Sequence, residues 1–224
     1  MQYLHSKISG ERYNLPVGKV VCVGRNYVAH ARELNNPVPS EPVLFMKPST
    51  ALVPLARPIV MPVGKGSCHF ETEISLLIGK TLSHADEAEC RQAITGVGLG
   101  LDLTLRELQS SLKQQALPWE KAKAFDGSCP LSAFVPVEEL SDLCNISFEL
   151  RQNGDLQQIG NSNAMITPIL GLLEHISEHF TLLPGDVVLT GTPAGVGPLN
   201  EGDRLELALS HHLVVDTRVE GNHA

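Results

Sequence analysis

Three acids give the chain its first chemical suggestion. Glu71 and Glu73 stand two residues apart in His69-Phe70-Glu71-Thr72-Glu73, at the head of the apolar run 74–78. Alternate side chains of an extended strand share a face, so both carboxylates point one way while Thr72, Ile74, Leu76 and Ile78 fill the other. Like charges held side by side raise each other's pKa unless a cation lies between them. An all-oxygen set of this kind suits a hard divalent ion, Mg²⁺ or Mn²⁺. An isolated Glu-x-Glu is usually a solvated strand face. Asp102, however, ends the glycine-rich apolar run 96–101, where a buried acid needs a partner. A third ligand position beside Glu71 and Glu73 supplies one.

A second pair lies upstream. His30 and Glu33 fall three apart on a predicted short helix and so share a face. Imidazole backed by carboxylate moves protons near neutral pH. The segment 35–42, with three prolines and two asparagines, follows as a loop that could close over bound substrate. Arg106 and Gln109 repeat the three-residue spacing just after Asp102. A lysine between Trp119 and Phe125 either turns inward or runs out to solvent, the commoner fate. His175 and His179 have the spacing of a metal pair, but no H-E-x-x-H pattern accompanies them, and a polar helix face is the expectation. The glycines at 191, 195 and 197 bare their backbone amides without P-loop or dinucleotide-fold spacing.

Composition narrows the function class. The chain has 224 residues, 42% hydrophobic and only 4% aromatic, with a net charge of −8. That balance disfavours nucleic acid or an anionic membrane surface as partner. An anionic small substrate would need a local cationic device. No apolar leader opens the chain and no stretch reaches membrane-spanning length. Five cysteines without a C-x-x-C pair read as reduced thiols of a cytoplasmic protein.

The elements that must position these groups are mostly strands. Short apolar runs at 19–24, 43–46, 74–78, 94–103, 187–190, 205–209 and 213–219 read as strands, and 145–159 with its Asn153-Gly154 turn reads as a hairpin. Helices are expected at 86–93, from near Thr104, and over 168–180 behind Pro168. Residues 1–18 form an N-terminal strand pair or arm, and 19–224 the main domain. Strands outnumber helices without regular βαβ alternation, which implies an α+β, β-rich fold rather than a doubly wound sheet.

These stretches resemble the fumarylacetoacetate hydrolase family. The resemblance rests on Val21-Cys22-Val23-Gly24-Arg25-Asn26-Tyr27 with His30 and Glu33, on Glu41 to Pro48, and on His69 with Glu71-Thr72-Glu73. It continues through Leu101-Asp102-Leu103-Thr104, Lys121 to Asp126, and Gly185 to Pro198. The ordered set is similar to the short acylpyruvate hydrolase branch. It implies a mixed β-roll with a few flanking helices, a homodimer, and one Mg²⁺ or Mn²⁺ on Glu71, Glu73 and Asp102. It further implies His30 and Glu33 as the water-activating dyad, Lys123 as a cationic helper, and Arg25, Arg106, Gln109 and Thr192 about the substrate. Phe70 stands where relatives carry a second histidine, and should point away from the ligands. The implied substrate is a small anionic 2-oxo acid. The implied activity is hydrolysis of an acylpyruvate, such as fumarylpyruvate or acetylpyruvate, to pyruvate and a carboxylic acid. Decarboxylation or keto–enol tautomerisation of oxaloacetate could use the same site, and a non-catalytic binder would not need the dyad.

Overall fold

The computed structural model describes residues 3–221. Its centre is an eight-stranded mixed sheet. The strand order is Val43–Lys47, Val20–Gly24, Val187–Leu189, Thr72–Ile78, Ile94–Leu101, Cys129–Leu131 and Leu52–Pro54, with Val135–Pro136 also paired to Ile94–Leu101. Two pairs are parallel, Val20–Gly24 with Val187–Leu189 and Leu52–Pro54 with Cys129–Leu131. A five-stranded sheet is built from Asp155–Asn161, Ser147–Gln152, Arg204–Leu209, Leu213–Glu220 and Ile59–Val60. A third, small sheet joins Gly197–Pro198, Cys68–Phe70 and Thr104–Leu105. Five α-helices flank the sheets among the described residues: α1 (Val28–Glu33), α2 (Glu87–Ala93), α3 (Arg106–Gln114), α4 (Glu120–Lys123) and α5 (Ile169–His179). The fold is therefore α+β and β-rich, as the strand count implied. No helix among the described residues is long and apolar enough to cross a membrane.

The strand Thr72–Ile78 explains why the sheet has a core on each side. Every residue of it is buried. Ile74, Leu76 and Ile78 join Leu99, Leu101 and Val97 in the larger cluster, while Leu77 packs with Val20, Val187 and Leu189 in the smaller one. Full burial of each such side chain is worth roughly 1.5–3 kcal/mol, so a register slip of one residue would be costly. Register in turn fixes Glu73 opposite Gly100 and Thr72 opposite Leu101. The N-terminal segment is tied to the domain by isolated bridges and a core contact. Ser6 bridges Arg12 and Lys7 bridges Phe134, and Tyr3 packs into the smaller core. Helix α2 opens with a reciprocal capping box between Asp86 and Glu89, which satisfies two otherwise orphaned amides.

Two boundaries differ from expectation. The strand expected to run to residue 103 stops at Leu101, because Asp102 turns to donate its amide to Glu71 O at 2.8 Å. The helix expected from near Thr104 begins at Arg106. Thr104 and Leu105 instead pair with His69 and Cys68, tying the Asp102 turn to the strand that leads into Glu71. The hairpin turn has Asn153 and Gly154 at positive φ, as a type I′ turn requires. Of the five cysteines, all free, only Cys144 is exposed.

Candidate active site

The three acids meet at the end of the central sheet. Glu71, Glu73 and Asp102 are all buried, and each offers a carboxylate oxygen within 4.8 Å of the others. Phe70 points the other way, fully buried in the larger core against Gly197. The alternation that turns Glu71 inward turns Phe70 away, so the departure from the family pattern leaves the carboxylates untouched.

Cations surround the acids unevenly. Lys123 Nζ donates to Glu71 Oε2 at 2.8 Å, Asp102 Oδ2 at 2.5 Å and Thr104 Oγ1 at 2.7 Å. The lysine between Trp119 and Phe125 therefore turns inward, and its buried ammonium is held charged. Burial works to lower its pKa, but Asp102 and Glu71 outweigh it and raise it. Arg106 donates to Glu71 Oε1 at 2.5 Å and to Gln109 Oε1 at 2.8 Å. Lys47, fully buried, lies 2.8 Å from Asp102 Oδ1 without hydrogen-bond alignment, and its ammonium also donates to Lys123 O and to Ser128 O. Burial would raise Glu71, yet Lys123 and Arg106 hold it below the usual carboxylate range. Glu73 has no cation against it. Its one hydrogen bond among the described residues comes from Gly191 N at 2.6 Å. Burial, then Asp102 and Glu71, push its pKa well above the ordinary value.

This arrangement fits a divalent ion. The donor set is all oxygen, as hard ions prefer. Glu73 lacks a counter-charge, and Asp102 Oδ1 is buried with no hydrogen bond. Each is a liability that a cation among the three would remove. His175 and His179, expected to form a polar helix face, lie with Glu178 on α5, where Glu178 and His179 are exposed and none of the three lines this pocket.

The dyad also forms. His30 is buried, and its Nδ1 donates to Glu33 Oε2 at 3.2 Å. Gly195 N donates to Glu33 Oε1 at 2.9 Å. The glycine-rich loop, unassigned by its spacing, thus serves both halves of the site: Gly191 holds Glu73 and Gly195 holds Glu33. Both glycines have positive φ, and a Cβ on Gly195 would stand 1.9 Å from Gln157 O, so only glycine fits there. Asn26 fastens this loop to the start of α1, donating to Thr190 O at 2.8 Å and accepting from Thr167 N at 2.8 Å.

One pocket gathers His30, Glu71, Glu73, Asp102, Lys123, Arg106, Gln109, Arg25 and Thr192. Thr192 accepts from Gln158 Nε2 at 2.8 Å, a residue of the second sheet that reading the chain in order did not single out. Asn36 of the 35–42 loop also lines the pocket, and residues 39–42 border Arg25. Two lysines escaped notice. Lys47 closes a strand whose other residues are only half-buried, a position that reads as solvent-facing. Lys113 lies one turn beyond Gln109 and joins the pocket only because α3 lies along it.

Comparison with known proteins fits this geometry. The family model described as fumarylacetoacetate (FAA) hydrolase C-terminal matches residues 19–220. The chain belongs to the fumarylacetoacetate hydrolase family. Within it, oxaloacetate tautomerase YcgM of Escherichia coli (strain K12) is 50% identical over 218 residues, 97% of this chain and 99% of that protein. The mitochondrial oxaloacetate tautomerase of Homo sapiens is 45% identical over 195 residues, 87% and 88% of the two chains. The crystal structure of fumarylpyruvate hydrolase from Pseudomonas aeruginosa in complex with Mn²⁺ and pyruvate shares the family fold with a TM-score of 0.92. It is 32% identical and covers 99% of this chain and 97% of that one.

Proposed function

We propose that this protein interconverts the keto and enol forms of oxaloacetate, with Mg²⁺ or Mn²⁺ held by Glu71, Glu73 and Asp102. The observation that carries the reading is the charge of the pocket, taken with the activity named for the relatives at 50% and 45% identity. Lys47, Lys123 and Arg106 equal the three carboxylates in number and oppose them in sign. Arg25 and Lys113 line the pocket as well, so a divalent ion would leave it strongly positive, suited to a dianionic diacid. When bound, the ion supplies Lewis acidity to the substrate's 2-oxo group.

The chain's own residues do the rest. Enolisation moves a proton from C3 to the C2 oxygen, with no water consumed. His30 takes the C3 proton and, as the imidazolium, returns it to the C2 oxygen, while Glu33, fixed by Gly195 N, holds the imidazole in the tautomer that presents Nε2 to substrate. Arg106 and Gln109, locked to one another, orient the substrate carboxylate.

Acylpyruvate hydrolysis is the second reading, supported by the likeness to the fumarylpyruvate hydrolase structure. There the same dyad would activate water for attack on the distal carbonyl. The deciding experiment follows enol-oxaloacetate decay and acetylpyruvate cleavage by absorbance, with EDTA and with Mn²⁺ restored. Mn²⁺-dependent acceleration of the first well beyond the second is expected. Cleavage of acetylpyruvate with an unchanged oxaloacetate equilibration rate would overturn the proposal in favour of hydrolysis.

A further inference from the structure

Two cations in the pocket have no assigned partner: Lys113 has no role so far, and Arg25 has only the general substrate contact that the family resemblance implies. Arg25 and Lys113 line the same cavity as His30 and Glu71, and both are partly exposed while the carboxylate floor is buried. Neither has an ion pair or a side-chain hydrogen bond among the described residues. Lys113 instead lies over the ring of Trp119, 5.1 Å from its centroid. Arg25 is the strongest of the charges acting on Lys113, and the more weakly felt Glu71 opposes it only in part, so two like charges are held together with no anion paired to either. Arg25 also has φ 62, a left-handed conformation that a residue with a Cβ rarely adopts and that tends to mark functional positions.

Helix geometry adds a direction. Arg106, Gln109 and Lys113 are spaced three and four apart, one row along a single face of α3. Arg106 sits at the buried end, against Glu71. Lys113 lies about two turns further along, each turn rising about 5.4 Å, on the partly exposed side of the same pocket.

We infer that Arg25 and Lys113 form a second anion subsite at the rim of the pocket, which takes the carboxylate distal to the 2-oxo acid and selects dicarboxylates over substrates with a neutral tail. The inference rests on the oxaloacetate reading and deepens it. Acetylpyruvate and oxaloacetate share the same 2-oxo acid head and differ only at the far end, where one carries a methyl ketone and the other a carboxylate. A cationic rim distinguishes the two by charge at nearly equal shape. Burial, with Arg25 next, lowers the pKa of Lys113 to about 8, as expected of an ammonium awaiting a counter-ion.

The test compares wild type with Lys113→Met, Lys113→Arg and Arg25→Met. For Lys113→Met, the ratio of the oxaloacetate KM to the acetylpyruvate KM should rise roughly 10- to 100-fold, the usual worth of a hydrogen bond to a charged group. Lys113→Arg should restore most of it. A binding readout independent of turnover comes from Trp119, the chain's only tryptophan. Its fluorescence, excited at the red edge, should respond to oxaloacetate at lower concentration than to pyruvate, and Lys113→Met should erase that difference. Wild type that turns over oxaloacetate with both measures unmoved by Lys113→Met and Arg25→Met overturns the subsite and leaves the tautomerase reading standing. Lys113-dependent binding without oxaloacetate turnover supports the subsite and sinks that reading.

Discussion

Glu73→Gln offers the sharpest test of the metal site, because Glu73 alone of the three acids has no cation against it. Its pKa is raised well above the ordinary carboxylate value by burial and by Asp102 and Glu71. Without a divalent ion, the native protein keeps a proton on Glu73 that the unfolded chain has released. The native state then binds more protons than the unfolded state, so stability falls as pH rises from the unfolded pKa toward the native one. The loss is at most about 1.4 kcal/mol per pH unit for one group. Each kcal/mol lost lowers the melting temperature of a chain of this length by roughly 2–4 °C. Glutamine keeps the shape and cannot titrate, so the Glu73 contribution to the slope should vanish. His5 and His69, whose pKa values burial lowers, tilt the same curve the opposite way. They do so equally in both proteins, and the difference between wild type and variant isolates Glu73. The assay is thermal melting in EDTA from about pH 5.5 to 7.5, repeated with Mn²⁺. At about a hundred times its dissociation constant, Mn²⁺ should add about 2.7 kcal/mol to wild type and much less to Glu73→Gln. A difference that stays constant with pH in EDTA, with equal Mn²⁺ responses, would refute the reasoning.

Other perturbations separate the remaining parts. Glu33→Gln should cut proton transfer by roughly 10²- to 10⁴-fold while leaving Mn²⁺ affinity intact, as measured by turnover and melting on one preparation. Lys47→Met leaves Asp102 with Lys123 alone and should cost roughly 3–5 kcal/mol in urea unfolding; a loss under 1 kcal/mol would show that Lys47 is not a true charge partner. Gly191→Ala places a Cβ 2.6 Å from Asn26 Cβ at φ 97, which should both lower stability and loosen the amide that holds Glu73. Its Mn²⁺ response should therefore weaken even in those molecules that fold. Oxalate, a mimic of bound 2-oxo acid, should slow amide exchange across 35–42 if that loop closes on the pocket it borders; identical exchange would remove the lid.

What the sequence made legible was whatever local spacing decides. Two residues along a strand put Glu71 and Glu73 on one face, and three along a helix put His30 beside Glu33. Neither statement needs to know what lies across the pocket. The same spacing rule correctly sent Phe70 into the core. Lys47 could not be read this way, because a lysine ending a half-buried strand is ordinarily solvated, and only the approach of Ser128 and Asp102 encloses it. Gln158 lies in an otherwise largely exposed strand, Asp155–Asn161. A register shift between Leu150 and Arg151 lies in the facing strand of that hairpin, and an irregularity of that kind has no motif. The glycine-rich loop was visible, but its task was not. Its amides become donors to Glu73 and Glu33 only when Asn26 pins the loop beside α1.

The same constellation can serve tautomerisation and hydrolysis because the two reactions share their costly feature. In each, negative charge develops on the 2-oxo group while a proton moves at the dyad. They part at the far end of the substrate and in their need for water. A distal ketone is an electrophile that activated water can attack, whereas a distal carboxylate is not, and what remains available to it is enolisation or loss of CO₂. The group that the pocket rim prefers therefore determines which reaction the buried floor performs. In this chain the rim carries Arg25 and Lys113, with no anion of its own paired to either among the described residues. On the oxaloacetate reading, a rim of that charge would draw in a dicarboxylate, and His30, already held by Glu33, would move its C3 proton.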